Sequence, residues 1–112
     1  MNILDIFKII IAVLTIVTGL YSLVKPKSIK GFTGLIADGP RGITEIRSVM
    51  GGVFIALGVL PFFESCAYLA LGVTYLVIGA IRLVSMLVDK SVERSNLISL
   101  AVEVVFGIVL VL

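Results

Sequence analysis

The sequence predicts an all-α membrane protein, a single domain spanning residues 1–112 and folded as a bundle of four transmembrane helices. Three observations predict it. Sixty per cent of the 112 residues are hydrophobic and 14% are charged, whereas soluble domains sit near half and a quarter. Mean hydropathy is +1.26, and so short a chain has too little interior to hide that much apolar surface from water. The apolar residues also gather into four runs of about 20, the length that crosses a hydrocarbon core of about 30 Å as a helix.

The first run extends from Ile3 to Val24. Asp5 beside Lys8 leaves its leading segment barely positive, and no small-x-small cleavage site follows, so it reads as a retained helix rather than a signal peptide. The second run extends from Thr44 to Phe63, the third from Cys66 to Val88, and the fourth from Ser95 to Leu112. Each must be helical, because unpaired backbone groups are too costly in hydrocarbon. The alternation of polar and apolar residues that marks a membrane barrel is absent.

The connections differ in length. Pro61 to Ser65 make a tight turn, and Asp89 to Arg94 a short charged link. The connection from Lys25 to Gly42 is long and basic, with Lys25, Lys27, Lys30 and Arg41, and ends in the turn signal Asp38-Gly39-Pro40-Arg41-Gly42. Within it Ile29, Phe32, Leu35 and Ile36 recur at helical spacing, which suits a short helix on the membrane surface with its lysines at anionic headgroups. Gly31 and Gly34 weaken any helix there and leave a flexible loop as the alternative. The two basic connections share one side, so the positive-inside rule places them in the cytoplasm and both termini outside.

Charges inside spans cost about 2.5 to 3.5 kcal/mol each and ask for a reason. Glu45 and Arg47 lie early in the second run, Arg82 in the third, and Glu103 near the centre of the fourth. An arginine fork matches a carboxylate, so these four, with Asp89 below them and Tyr75 on the same stripe, form the expected buried cluster. Two arginines beneath a central carboxylate would make a polar pocket open to the cytoplasm. The bland alternative is a set of ion pairs that fixes helix register and touches no ligand. Gly51, Gly52, Gly58, Gly72, Gly79 and Gly107 are expected to let helices approach closely. On the fourth run, Asn96 and Ser99 share the stripe of Glu103 and Gly107.

Several functions are excluded or disfavoured. There is no histidine, and Cys66 is the only cysteine. This argues against zinc sites, dithiol motifs and Ser-His-Asp or Cys-His nucleophiles. No metal, cofactor or catalytic residue is expected, and no enzyme activity. A net charge of +2 is too small to suggest nucleic acid. The expected partners are membrane lipids, with a second copy or a larger membrane complex shielding the buried charges.

The run Glu45-Ile46-Arg47-Ser48-Val49-Met50-Gly51-Gly52, followed by Gly58, resembles an E-x-R-x-x-x-G-G signature. Arg82, Asp89 and Glu103 follow it in order. In this the chain is similar to a family of small bacterial four-helix membrane proteins of unknown function, related to the DoxX-like group. The resemblance covers Gly42 to the C-terminal end and implies the four-helix fold, a bacterial inner-membrane location, and signature roles for Glu45, Arg47, Arg82 and Glu103. An aspartate-glycine step common in that family after the third helix is replaced here by Asp89-Lys90. Two functions remain open. One is a binding or accessory protein that holds an anionic lipid, a quinone or a partner helix. The other is a small proton-coupled transporter or channel centred on Glu103, a plan similar to small multidrug resistance proteins, whose glutamate nevertheless lies in the first helix.

Overall fold

A computed structural model of the chain describes residues 2–112. The described residues contain helices and connecting turns, and no strand. Four helices are long and apolar enough to cross a membrane: Ile3–Val24, Gly39–Phe62, Ala67–Val88 and Arg94–Val111. At 1.5 Å per residue the two of 22 residues are about 33 Å long. Large apolar side chains are exposed on all four of these helices, among them Val17, Leu20, Val49, Val53, Ile81, Val84 and Val105. In water these faces would be untenable; in lipid they are solvated.

Helix ends follow local chemistry. Asn2 and Asp5 form a reciprocal capping box, in which the Asp5 amide donates to Asn2 Oδ1 at 2.9 Å and the Asn2 amide to Asp5 Oδ2 at 3.2 Å. The second span begins earlier than the sequence suggests. The expected turn Asp38–Gly42 is instead a helix start: Asp38 is extended, and Pro40 occupies the first turn, where its missing amide costs nothing. That span then changes character, from α-helix over Gly39–Glu45 to π-helix over Ile46–Gly51, back to α-helix over Gly52–Val59, and into a 3-10 turn over Leu60–Phe62.

The long connection is neither a continuous surface helix nor a structureless loop. It holds a 3-10 turn at Pro26–Ser28 and a single α-turn at Lys30–Thr33. Gly34 stops that turn in the left-handed conformation, φ 75°, with its amide donating to Lys30 O. Ile29 is fully buried, and Phe32 meets Tyr21 edge-on with ring centroids 5.5 Å apart. Leu35 and Ile36, past the glycine, are exposed.

The chain forms two compact units. One comprises the residues up to Lys8 together with Cys66–Leu112; the other is Ile9–Ser65. In the first unit the third and fourth spans make an antiparallel hairpin. Its seam is set by Gly72 and Gly107: a Cβ on Gly72 would lie 2.8 Å from Leu110 Cβ and 3.1 Å from Gly107 O, and one on Gly107 would lie 2.5 Å from the Leu76 side chain. One turn along, Tyr75 stands edge-on to Phe106 at 5.6 Å, and Gly79 faces Glu103 and Leu100 at ordinary contact distance. Lys8 Nζ lies 5.9 Å from the centre of the Tyr68 ring, within cation–π range.

In the second unit the glycines of the second span bear on the first. A Cβ on Gly19 would meet the backbone of Ile55 at 2.8 Å and of Gly51 at 2.9 Å. Gly58 sits against Ile16 and the Ala12 carbonyl, and Gly51 against Leu23. Gly19 thus joins the packing set read from the sequence, and Gly52 leaves it: a Cβ there meets nothing within 4 Å. Neighbouring helix positions point about 100° apart, so once Gly51 faces the first span, Gly52 does not. The buried hydroxyls are satisfied inside their own helix, Thr15 Oγ1 donating to Ile11 O at 2.8 Å and Ser22 Oγ to Thr18 O at 3.1 Å.

Candidate functional site: two separate charge clusters

The hairpin unit contains a closed ionic cluster. Arg82 donates from Nε to Glu103 Oε1 at 2.7 Å and from Nη2 to Oε2 at 2.8 Å, a bidentate pair. Its Nη1 donates to Asn96 Oδ1 at 3.0 Å. Asn96 Nδ2 in turn donates to the Ser91 carbonyl at 2.9 Å. The side chain of Glu103 is 10% exposed and that of Arg82 30%. Arg82 lies six residues before the end of its helix at Val88, about 9 Å in. There an unpaired charge would be expensive, and each member of this pair neutralises the other.

Asn96 was visible on the polar stripe of the fourth span, but sequence reasoning left it out of the cluster. A neutral amide costs less to insert than a charge, so it does not single itself out as the charged residues do. Its position two turns before Glu103, on the same stripe, is the available signal. Asp89 does not join the cluster: it caps the third span and accepts a hydrogen bond from Ser85 Oγ at 2.7 Å. The turn that follows is built on Lys90. Lys90 is left-handed, φ 53°, and the Ser91 amide donates back to Met86 O at 3.0 Å, the long bond of a Schellman motif. This is a position where glycine is the natural choice and lysine is strained.

The second unit holds Glu45 and Arg47, and each behaves differently from expectation. Glu45 is exposed and pairs locally with Arg41, Oε1 to Nε 3.7 Å, one helical turn away. Arg47 is exposed, in the π-helical stretch. The helix register explains its exposure. Gly51 meets Leu23; four residues back along the second span is Arg47, and four residues onward from Leu23 is Lys27. The first span ends at Val24, before the turn that would lie opposite Arg47. Gly51 and Gly58 are buried on the same seam because the first span still runs opposite them. Continued one turn beyond the Gly51–Leu23 contact, the register of the two spans carries Arg47 toward the segment of Lys25 and Lys27. Lys25, Lys27, Lys30 and Arg41 are all exposed.

An open groove of about 420 Å³ is lined by Ala80, Ile81, Val84, Ser85, Val88 and Asp89. All six come from the third span and its cap, so the groove is one helix face rather than a pocket around the charges. Among the described residues no group of three or more acidic, histidine or cysteine side chains is placed to hold a metal.

A chain with four helices long and apolar enough to cross a membrane, a bidentate ion pair between the third and fourth, and exposed basic residues along the first connection is thus the class defined by fold and site. The family scan is consistent with it. Residues 3–112 match the model of a domain of unknown function, DUF4345, and the chain belongs to that family. No curated protein and no solved structure matches the chain.

Proposed function

We propose that the chain is a non-catalytic membrane binding or accessory protein, and that Arg47 is its binding charge. One observation carries this reading. Of the four span charges read from the sequence, Arg82 and Glu103 satisfy each other and Glu45 turns to Arg41, while Arg47 is exposed on an irregular turn. Helical π-turns cost hydrogen-bond geometry and occur frequently at functional sites. A guanidinium at that level suits an anionic or strongly accepting group: a lipid phosphate, a quinone carbonyl or a carboxylate on a partner helix. The Arg82–Glu103–Asn96 cluster is then the brace of the hairpin. The DoxX-like kinship and the bacterial inner-membrane location belong to the same proposal and rest on the Glu45–Gly52 motif. So does the orientation with the basic connections in the cytoplasm, which rests on the exposed lysines.

The Glu103-centred carrier is the weaker reading. Both Glu103 oxygens already hold guanidinium hydrogens, so each cycle would have to break two charge-assisted bonds. Native mass spectrometry of gently released protein separates the readings. The wild type should carry an added mass or a partner subunit that Arg47→Leu loses and Arg41→Leu keeps. A wild type that flies bare, or an adduct indifferent to Arg47, would sink the binding role.

A further inference from the structure

We infer that the Arg47 cluster is a site for the phosphate of an anionic phospholipid, in the leaflet that faces the basic connection. The inference rests on the binding reading above and names its ligand. Three features of the Ile9–Ser65 unit point to a phosphodiester. The close contacts of Gly19, Gly51 and Gly58 fix the antiparallel register of the first two spans. That register carries Arg47 toward the segment of Lys25 and Lys27, three exposed cations where the first span ends. The nearby acid, Glu45, lies 3.7 Å from Arg41 in an exposed pair, and among the described residues no salt bridge joins Arg47, Lys25 or Lys27. A cluster of positive charge at the end of a membrane span lies where lipid phosphates lie, and each cation near an anionic surface contributes about 1 kcal/mol.

The surroundings suit a lipid rather than a soluble anion. Tyr21, one turn before Lys25, stacks edge-on against Phe32, the kind of aromatic pair that collects at membrane interfaces. Ile29 is fully buried and holds the lysine-bearing segment to the protein, so Lys27 and Lys30 sit on an anchored turn. An arginine fork grips two phosphate oxygens while the lysines add point charge.

The test uses the full chain in a neutral detergent, titrated with dioleoylphosphatidylglycerol, with dioleoylphosphatidylcholine, or with glycerol phosphate. Phosphatidylglycerol should bind and raise the unfolding midpoint; the other two should do neither. Arg47→Leu should weaken that binding about fivefold, and the combination with Lys25→Gln and Lys27→Gln about a hundredfold, from one cation's share each. Arg47→Lys, which keeps the charge and the fold, should lose less than Arg47→Leu, and Lys90→Gln should lose nothing. Equal binding of both lipids, or glycerol phosphate competing as well as the lipid, would overturn the assignment. So would an Arg47→Leu protein of native helicity that binds phosphatidylglycerol as the wild type does. If that variant instead sheds a protein subunit, the phospholipid is wrong and the binding role stands; if it changes neither, both fall.

Discussion

Replacing Glu103 with leucine should destabilise the hairpin at least as much as replacing Glu103 and Arg82 together. The single change leaves a guanidinium about 9 Å inside the helix end, stripped of two bonds of 2.7 and 2.8 Å and holding only Asn96. Breaking a buried pair from one side costs about 3–5 kcal/mol. With 30% of the Arg82 side chain exposed, part of that charge is rehydrated, so about 3 kcal/mol is the expected loss. Arg82→Met alone strands the carboxylate instead, which is only 10% exposed, and should cost somewhat more. In the double variant no charge is left, and the loss reduces to imperfect packing and an unmatched Asn96 carbonyl, about 1–3 kcal/mol. The coupling between the two sites is therefore expected at about 3 kcal/mol or more. Reversible unfolding in mixed micelles, followed by circular dichroism, measures all four corners of the cycle. Additive losses would refute the argument, because they would mean that each charge finds another partner or water once its mate is gone.

Three further outcomes follow from the geometry. Gly19→Ala should cost about 2 kcal/mol or more in the same unfolding assay, since its Cβ collides with backbone at Ile55 and Gly51, whereas Gly52→Ala should be neutral or stabilising by up to about 1 kcal/mol. Lys90→Gly should be more stable than Lys90→Ala by about 1 kcal/mol, because both lose the charge and only glycine relieves the left-handed backbone; equal midpoints would contradict it. Asn96→Ala should cost about 1–2 kcal/mol and speed protease cleavage between Lys90 and Glu93, as it frees the Ser91 carbonyl and one arginine donor.

Much of this protein is written locally, and much of that was legible. Span length and apolarity depend on contiguous residues, so three of the four helices fall within a residue or so of their expected limits. The second fails at its start because Asp38-Gly39-Pro40 means either a turn or a helix beginning with proline in its first turn. Which one holds depends on whether the following residues continue as helix. The basic character of Lys25, Lys27, Lys30 and Arg41 is likewise plain in one dimension.

Partnership is a different matter. Arg82 and Glu103 were both evident as costly charges, but their union across 21 positions, with Asn96 as third member, is a property of how two helices slide past one another. The seam of Gly72 and Gly107 sets that slide. Glu45 had a nearer mate in Arg41, one turn away, than any the bundle offered. Arg47 shares a stripe with Gly51, yet the stripe is covered at Gly51 and bare at Arg47, because the first span ends between the two levels. Hydropathy acts residue by residue and so determined the four spans. Register is a cooperative outcome of small residues in close contact, and only the tertiary structure decided which charges it neutralised and which it left exposed.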